Sequence, residues 1–508
     1  MTISFDIKTA MGEMFEANKL RRLRTKNRNR SGFNQMKPTL DLSSFKNNDI
    51  RGIIGSQINE PFAYLLGKAF GEDLLSGNAK TPSAWHPVVI GRDNRETSLS
   101  LQEAITAGLI ESGISVIDLG MTGTEEVYFA TRHLKAIGGI QITASHNPIN
   151  YNGMKLVGVG ASPLSKHSGL NEIKQRILNL ESKLVNLCDN PTVAQHADAE
   201  HLSTLQPYID HLLSYIAPSK LLPMKIVVNA GNGVAGHIID ALEDRFTALD
   251  TPITFIKVQH TPDGKFPNGI PNPLIKENQT ATRNAVLEHS ADLGIAWDGD
   301  FDRCFFFDEK GNYIEGYYIV GLLAEAFLMK ERNATVLHDM RMTWNTIEVA
   351  KQLDGNAIAV KAGHALIKEK MRQTNAIYGG EMSAHHYFRD FGYCDSGMIP
   401  WLLVIELVSK TQQSLYQLTS VSISKFPSSG EINRKVSNPD LVIASVLAYY
   451  QDCAVSIDYV DGLSMDMGSW RFNLRQSNTE PLIRLNVETK QNPTLLSDKV
   501  KELLSFLV

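Results

Sequence analysis

Short apolar runs alternate with helical patterns along most of the chain. Pro87–Asp93 contains an apolar run that predicts a strand, and residues 101–112 carry leucine and isoleucine at the spacing of one helical face. The apolar segments around Ile117 and Ile140 predict two more strands. This alternation predicts a mostly parallel sheet, and such sheets bind ligands beyond the carboxyl ends of their strands. The polar segments that follow the strands are therefore the candidate sites.

The same alternation is found again after residue 200, and breaks in it divide the chain. A length of 508 residues favours about three to four domains. The predicted segments are a basic extension, three α/β units and a final unit that ends in a hairpin and a helix. They cover residues 1–40, 41–199, 200–312, 313–424 and 425–508. The sequence alone reveals no internal repeat.

Composition and charge exclude several classes of protein. The net charge is −5, whereas a chain-wide nucleic-acid surface needs a basic balance. The apolar stretches at 317–329 and 398–408 are too short to cross a membrane and predict core helices. The 4 cysteines are scattered, which argues against a disulfide framework or a structural zinc site. We expect a cytoplasmic protein without a nucleic-acid or membrane partner, and the oligomeric state stays open.

Residues 1–40 differ from the rest because basic residues cluster between Lys19 and Arg30. No apolar run follows this cluster, so it is not a secretory signal. We interpret the segment as a disordered extension, or as the result of a start assigned too early, with Met36 as the natural start. A tail that binds nucleic acid or a membrane surface is the alternative.

The first candidate motif is TASHNP, Thr143–Pro148, directly after the apolar segment at Ile140. Ser145 would be exposed at a strand end, and Pro148 suits the start of a following helix. Free N–H groups at such a helix start favour a bound anion. Ser145 is therefore a candidate nucleophile or carrier of a covalent phosphate. A capping serine in an ordinary turn is the alternative.

The second motif, DGDFDR, follows the apolar segment Leu293–Trp297. Asp298, Asp300 and Asp302 can converge on one hard cation, and carboxylate oxygens suit Mg²⁺. A calcium loop fits less well, because such a loop needs glycine where Arg303 stands. An aspartyl nucleophile of the D-x-D type is the other alternative.

The third motif is GGEMSAHH, residues 379–386. Glu381, Ser383 and His385 alternate, so an extended segment would direct all three to one side. A carboxylate, a hydroxyl and an imidazole together can bind the hydroxyls of a sugar. A surface loop with ordinary polar residues is the alternative.

The fourth motif, RQSNTEP, lies in the predicted hairpin near the C-terminus. Arg475 supplies a guanidinium group, and Ser477, Asn478 and Thr479 add hydroxyl and amide groups. Together they suit a phosphate. Because Ser, Asn and Thr are also common in turns, a plain hairpin turn is the alternative.

A fifth segment, GNGVAG, matches the glycine spacing of dinucleotide-binding turns. In that case an acidic residue should end the next strand. The strand predicted at residues 253–258 is instead followed by Gln259 and His260. We interpret the glycines as a tight turn against a helix and expect no nicotinamide cofactor.

In this order, the motifs resemble the α-D-phosphohexomutase family, and within it the bacterial enzymes of the mannose type. The resemblance runs from about Ser43 to the C-terminus. It rests on NDIRGIIG, GRD, TASHNPINYNGMK, DGDFDRC, KAGH, GGEMSAHHYF and RQSNTEP. It implies an α/β fold with four domains around a central cleft: three similar mixed α/β domains and a smaller C-terminal α+β domain.

The resemblance also implies an activity. The family member would be an isomerase that interconverts mannose 6-phosphate and mannose 1-phosphate through phosphoserine and a hexose 1,6-bisphosphate. It would use Mg²⁺, with hexose 1,6-bisphosphate as activator, and would supply GDP-mannose and surface polysaccharide synthesis. Its partners would be small hexose phosphates. A glucose-specific or dual-specificity enzyme is the alternative.

Each motif receives a role from the resemblance. The phosphate carrier would be Ser145. The metal ligands would be Ser145, Asp298, Asp300 and Asp302. The groups that hold the sugar hydroxyls would be Glu381, Ser383 and His385. The non-reacting phosphate would be held by Arg475, Ser477, Asn478 and Thr479. The remaining catalytic residues would be Arg51, Lys155, Arg303 and His364.

Two details of these implied roles bear on the chemistry. Lys155 and His364 are the candidates for proton transfer, and Lys155 would need a lowered pKa to accept a proton. The family often has tyrosine before D-I-R-G, and Asn48 stands there in this chain. This difference leaves the local substrate contacts open but does not affect the phosphoserine or metal groups.

Overall fold

The structure is a computed structural model that describes residues 40–77, 87–180, 199–476 and 482–507. The predicted extension, with Met36, lies outside these residues except for Leu40. Within the described ranges, no helix combines the length and apolar character needed to cross a membrane. The cysteines that the structure describes are free, and they are Cys304, Cys394 and Cys453.

The described strands form four sheets. The first sheet contains β1 (Ile50–Ile53), β2 (Val88–Arg92), β3 (Val116–Met121), β4 (Gly138–Ile142), β5 (Tyr151–Gly158) and β6 (Glu200–His201). The second contains β7 (Met224–Asn229), β8 (Ile253–Val258), β9 (Leu293–Trp297), β10 (Cys304–Phe307) and β11 (Tyr313–Ile314). The third contains β12 (Thr335–Asp339), β13 (Asn356–Val360), β14 (Tyr378–Gly380), β15 (His386–Phe388) and β16 (Cys394–Asp395). The fourth contains β17 (Ser428–Lys435), β18 (Ser456–Asp458), β19 (Leu463–Asp466), β20 (Trp470–Gln476) and β21 (Leu482–Thr489).

The α-helices connect and cover these strands. Those of the first two units are α1 (Glu60–Gly77), α2 (Ser98–Glu111), α3 (Thr124–His133), α4 (Leu170–Leu180), α5 (Leu205–Leu213), α6 (Gly236–Ala248) and α7 (Thr280–His289). Those of the last two units are α8 (Gly316–Lys330), α9 (Trp344–Gln352), α10 (His364–Thr374), α11 (Ile399–Thr411), α12 (Leu415–Lys425), α13 (Pro439–Tyr450) and α14 (Pro493–Leu504).

The first three sheets share one strand order, which the sequence did not reveal. In the second sheet the order is β8-β7-β9-β10-β11, and in the third it is β13-β12-β14-β15-β16. The first sheet has β3-β2-β4-β5-β1 in the same places, with β6 added beside β3. In each sheet three parallel strands are followed by antiparallel ones. The fourth sheet is antiparallel throughout.

Strand pairing differs from the predicted segment boundaries at two places. β6 pairs with β3 of the first sheet, although the second segment was predicted to begin at residue 200. β11 pairs with β10 of the second sheet, although the third segment was predicted to begin at residue 313. Both are short edge strands of two residues, too short to give a periodic apolar pattern.

One apolar core continues through the first three units, and the fourth unit has its own. Tyr128, Tyr208, Trp297 and Trp401 belong to the shared core and are almost fully buried. The separate core includes Phe472 between the fourth sheet and its helices. The shared core implies that the first three units support one another, whereas the fourth unit buries its own apolar face.

A buried carboxyl group lies where these three units meet. Glu125 is in the first turn of α3 and has no exposed surface. Tyr208 of α5 donates a hydrogen bond to it, and Ser396 lies beside it before α11. Burial raises the pKa of Glu125 well above its usual value, and the hydrogen bonds from Ser396 and Tyr208 only partly oppose this shift. Glu125 is therefore disposed to be protonated in the folded protein.

We expect Glu125→Gln to flatten the dependence of stability on pH. Because the folded pKa of Glu125 lies above the unfolded value of 4.5, its contribution to stability is full below that pH. It is lost as the pH rises to the folded pKa, at up to about 1.4 kcal/mol per pH unit. Glutamine stays neutral and still accepts the tyrosine hydrogen bond. The free energy of unfolding of the variant relative to the wild type should therefore be higher at about pH 8 than at about pH 5, as measured by urea unfolding.

The exposed Glu60→Gln is the matched control for this measurement, since it removes a carboxylate from the surface. Its stability relative to the wild type should depend little on pH. Identical pH profiles for Glu125→Gln and the wild type would contradict the assignment of a protonated Glu125.

Candidate active site

The site is formed by the same connection in each of the first three sheets, which follows the third parallel strand. The β4–β5 connection contains Ser145, the β9–β10 connection contains three aspartates, and the β14–β15 connection contains His385. Ser145 Oγ donates a hydrogen bond to Asp298 Oδ2 at 2.7 Å. Arg303 and His385 face each other in an antiparallel bridge. Equivalent parts of three sheets therefore meet at one place.

Ser145 lies in a hairpin turn, and the expected helix after Pro148 was wrong. β5 begins at Tyr151 and pairs antiparallel with β4. The pairing continues the sheet, and the Tyr151 N–H donates to the Pro148 carbonyl at 3.0 Å. Ser145 itself has a left-handed backbone with φ of 48°, which is uncommon outside glycine. An anion at Ser145 would thus rely on side chains rather than on a helix end.

Arg95 holds this turn in place, and sequence reasoning missed it. Its guanidinium group donates to four backbone carbonyls at 2.7–3.0 Å. They belong to Ser145, Asn147, Pro148 and Tyr151. Arg95 is 3% exposed. A single buried guanidinium group therefore holds the turn that contains Ser145. In the sequence, the one indication of this role was that Arg95 lies two residues after the GRD segment.

The three aspartates converge as the sequence predicted. Ligand oxygens of Asp298, Asp300 and Asp302 lie within 4.8 Å of one another, and all three residues are buried. Among the described residues, Asp298 Oδ1 and Asp300 Oδ1 are buried without a hydrogen-bond partner. Burial and the neighbouring Asp300 raise the pKa of Asp302 to about 8. Unpaired oxygens and mutual repulsion are what a divalent cation relieves, so this cluster fits a metal.

Cationic side chains already offset part of this negative charge. Lys155 of β5 donates to Asp300 at 2.7 Å and also to Asp302. Arg303 donates to Asp298 Oδ2 at 2.6 Å. Burial disfavours the charged form of Lys155, but the two aspartates outweigh it and raise its pKa. Lys155 is therefore held protonated here, contrary to the lowered pKa that a base would need.

Two further residues around Ser145 were not singled out by the motifs. His146 Nδ1 lies 3.0 Å from Ser145 Oγ. Thr124 Oγ1 donates to Asp300 at 2.5 Å. His146 adjoins Ser145 in the motif, whereas Thr124, which begins α3, was not among the predicted site residues. His146 thus contacts the Ser145 hydroxyl, and Thr124 contacts the carboxylate of Asp300 directly.

Arg51 and His364 reach the site from outside these three connections. Arg51 of β1 donates to Asn147 Oδ1 at 2.8 Å and to Asp49 at 2.9 Å. His364 begins α10 and is half-buried. Burial and the neighbouring Lys368 lower the pKa of His364 to about 4. Its imidazole is therefore neutral near pH 7, and the same low pKa makes it a weak base in this state of the site.

The predicted extended segment at Glu381 to His385 is a tight turn instead. The Ala384 N–H donates to the Glu381 carbonyl at 3.0 Å, and Ala384 has φ of 71°. The Cys304 N–H at the start of β10 donates to the Ala384 carbonyl at 3.2 Å, and this hydrogen bond holds the turn against β10. The turn still brings the predicted side chains together. His385 Nδ1 is 3.3 Å from Ser383 Oγ and 3.4 Å from Glu381 Oε2.

Arg475 lies at the end of β20 and donates to Glu431 of β17 at 3.0 Å. Arg341, after β12, approaches the same carboxylate at 3.5 Å and also lies 3.6 Å from Glu381. These ion pairs connect Arg475, through Glu431 and Arg341, to Glu381 of the third motif, but they do not extend to Ser145. The remaining predicted phosphate-binding residues lie outside the described residues, and they are Ser477, Asn478 and Thr479.

The fold and the site together define a four-unit α/β protein with a buried serine–carboxylate centre. Family models for phosphoglucomutase/phosphomannomutase match this chain along most of its length. Alpha/beta/alpha domains I, II and III match residues 42–184, 206–311 and 315–426, and the C-terminal domain matches 431–502. The chain belongs to the phosphoglucomutase/phosphomannomutase family, the α-D-phosphohexomutases. The predicted family and fold class are confirmed.

Individual relatives agree with this assignment. A phosphomannomutase of Vibrio cholerae is 53% identical over 473 residues, 92% of this chain and 98% of that protein. Phosphohexose mutases of Xanthomonas campestris are 52% identical over 468 residues, 92% of this chain and 100% of theirs. A Burkholderia thailandensis family structure has a TM-score of 0.76 at 27% identity, covering 92% of this chain and 98% of that one. A Thermus thermophilus structure at 21% identity, with a TM-score of 0.72, covers 91% of this chain and 98% of that one and shares the fold.

We expect a divalent cation to stabilise the protein through the aspartate cluster. Binding to the folded state alone adds about 2.7 kcal/mol at a ligand concentration of 100 times Kd. Addition of Mg²⁺ to chelator-treated protein should therefore raise Tm by several degrees, measured by calorimetry. Asp298→Asn should lose most of this shift, because it removes one of the three converging carboxylates.

Asp240→Asn serves as the matched control, because Asp240 lies exposed on α6 of the same unit, outside the cluster. It should keep the full shift in Tm. An equal shift in Asp298→Asn and Asp240→Asn would place the cation elsewhere.

Proposed function

We propose that this protein is a phosphomannomutase, an isomerase that interconverts mannose 6-phosphate and mannose 1-phosphate. One observation carries the proposal: Ser145 Oγ lies 2.7 Å from Asp298 in a turn that faces three carboxylates. The substrate class is supported by a phosphomannomutase that is 53% identical over 92% of the chain. Since relatives at 52% identity are named phosphohexose mutases, glucose phosphates are the second candidate substrates.

In the proposed reaction, phosphorylated Ser145 donates its phosphoryl group to the free hydroxyl of a hexose monophosphate. The hydroxyl oxygen forms a bond to phosphorus, the bond to Ser145 Oγ breaks, and the serine oxygen regains a proton. A hexose 1,6-bisphosphate forms and reorients in the site. Its other phosphoryl group then returns to Ser145, so no net phosphate is consumed. The same bisphosphate, supplied as activator, phosphorylates Ser145 initially.

The charged side chains match the demands of phosphoryl transfer, which are positioning and charge stabilisation. Asp298, Asp300 and Asp302 would hold Mg²⁺ with the Ser145 phosphate, and the cation would neutralise charge on the transferred group. Lys155 and Arg303 lie at the same carboxylates and face the phosphate position. Of the two candidates for proton transfer, His364 is the neutral one, and its pKa would have to rise towards 7 with substrate bound for it to accept the proton of the sugar hydroxyl.

The remaining predicted residues bind the substrate in this proposal. Glu381, Ser383 and His385 hold the sugar hydroxyls, since their side chains meet in one turn. Arg475 holds the non-reacting phosphate together with the adjoining hairpin residues. Arg51 secures the phosphoserine turn through Asn147. We further propose four domains near the predicted boundaries, a cytoplasmic location and a role in supplying GDP-mannose.

The first test is turnover with Ser145→Ala beside the wild type. With Mg²⁺ and a trace of hexose 1,6-bisphosphate, the wild type should convert mannose 1-phosphate to the 6-phosphate. The variant should lose nearly all activity, because it has no oxygen to carry the phosphoryl group. Glucose 1-phosphate, assayed separately, gives the ratio of rates that identifies the preferred sugar. Full activity in Ser145→Ala would contradict the mechanism, and no turnover of either sugar would contradict the substrate class.

The Ser145 turn generates a second prediction. Arg95→Lys keeps the charge but cannot span four carbonyls, so Ser145 Oγ should shift from its place beside Asp298. Displacement of a reacting group by about 1 Å can cost about 100-fold in rate. We expect kcat to fall by about 10–100-fold with a much smaller change in KM. Steady-state kinetics measure both constants.

Arg92→Lys is the control, since Arg92 lies at the end of β2, three residues before Arg95, and donates to the Asp93 carbonyl at 3.5 Å rather than to the Ser145 turn. Its kcat should stay close to that of the wild type. A rise in KM without loss of kcat in Arg95→Lys would show that the turn does not depend on the guanidinium group.

A further inference from the structure

A cluster of arginines in and beside the fourth sheet surrounds a single carboxylate. Arg475 in β20, Arg484 in β21 and Arg341 after β12 all direct guanidinium groups at Glu431 in β17. The N–O distances are 3.0, 3.2 and 3.5 Å. Glu431 is thus an anion bound by the same arginine that we assign to the substrate phosphate.

The three arginines differ in the carboxylates that neutralise their charge. Arg341 has its own partner, because it donates to Asp339 at 2.7 Å. Among the residues that the structure describes, Arg475 and Arg484 have Glu431 as their carboxylate partner. Their Nε atoms are buried without a hydrogen-bond partner in the same part of the chain. Part of each side chain stays exposed, 15% for Arg475 and 34% for Arg484, so an anion other than Glu431 can reach these two arginines.

The charge of Glu431 reduces the net positive charge of Arg475 and Arg484. Two guanidinium groups carry two positive charges, and arginine stays charged at any pH of interest. Burial tends to raise the pKa of Glu431, but the three arginines outweigh it and hold that pKa below its usual range. Glu431 is therefore ionised at neutral pH and cancels one of the two charges. A phosphate monoester, with close to two negative charges near pH 7, meets a net charge of only about one.

We propose that Glu431 is a competing anion built into the phosphate clamp. It holds Arg475 and Arg484 in position when no phosphate is bound and weakens their grip when one is. Glu431 acts through the arginines and is a positioning residue. This inference rests on the proposed function, in which Arg475 binds the non-reacting phosphate.

The proposed reaction gives such an anion a use. The hexose 1,6-bisphosphate must leave the clamp, reorient and present its other phosphate. Binding energy that is equal in the ground and transition states lowers KM without raising kcat. A clamp with both charges uncompensated would hold the intermediate more tightly and slow this exchange. Glu431 keeps the affinity low enough for turnover.

Glu431→Gln tests the inference, because glutamine has nearly the same size and lacks the charge. In a Ser145→Ala background, which prevents turnover, mannose 6-phosphate should bind about five- to tenfold more tightly by titration calorimetry. The gain should shrink at high salt, where charge interactions are screened. With Ser145 intact, Glu431→Gln should lower KM, and kcat should fall rather than rise. Glu431→Asp retains the charge and should stay closer to the wild type.

The controls separate this inference from the clamp itself. Glu502→Gln removes the same charge from the same unit, where Glu502 pairs with Lys499 at 2.7 Å, and should leave binding unchanged. The double variant Glu431→Gln with Arg475→Gln should lose the gain. Weaker or unchanged binding in Glu431→Gln, with binding weakened by Arg475→Gln, would overturn the inference and leave the clamp intact. Unchanged binding in Arg475→Gln would overturn the clamp assignment and the inference with it.

Discussion

Three carboxylates buried side by side after β9 cannot all be charged unless positive charge lies among them. The second unit alone supplies only Arg303 at the cluster, through Asp298. Lys155, which pairs with Asp300 and Asp302, comes from the first unit, as does the Ser145 hydroxyl. The raised pKa of Asp302, about 8, shows that these partners do not fully offset the crowding. The first unit, already joined to the second by the shared apolar core, thus supplies part of the positive charge at the cluster, and the carboxylate charge that remains favours a cation.

The close approach of these two units also limits which residues can form the loop. A Cβ atom on Gly299 would lie 2.6 Å from the Ser145 carbonyl oxygen, closer than any side chain can sit. The Thr124 N–H, also from the first unit, donates to the Asp300 carbonyl at 3.1 Å. Backbone contacts on both sides thus set the separation between the serine and the carboxylates. A glycine between two aspartates is therefore needed for this packing.

The parts that the sequence predicted are those that depend on local pattern. The strands β2, β3, β4 and β8 and the helix α2 all lie where the apolar spacing placed them. The convergence of Asp298, Asp300 and Asp302 follows from alternate positions after a buried strand. The shape of the Ser145 turn was not predictable, because Arg95 fixes it from 50 residues away. The turn at Ala384 likewise depends on a hydrogen bond from Cys304, and no local pattern records such a contact.

Strand order explains why the same connection contributes from each of three sheets. In each, the third parallel strand lies beside an antiparallel one, so the chain reverses direction directly at the carboxyl edge of the sheet. Ser145, the aspartates and the segment from Glu381 to His385 all lie at such reversals, which need few residues and hold side chains between two paired strands. The repeated strand order therefore brings the Ser145 turn, the three aspartates and the turn at Glu381 to His385 together without long loops. The residues at the three reversals differ, with a serine in the first, three aspartates in the second and Glu381 to His385 in the third, so the repeat is evident in the strand order and not in the residues.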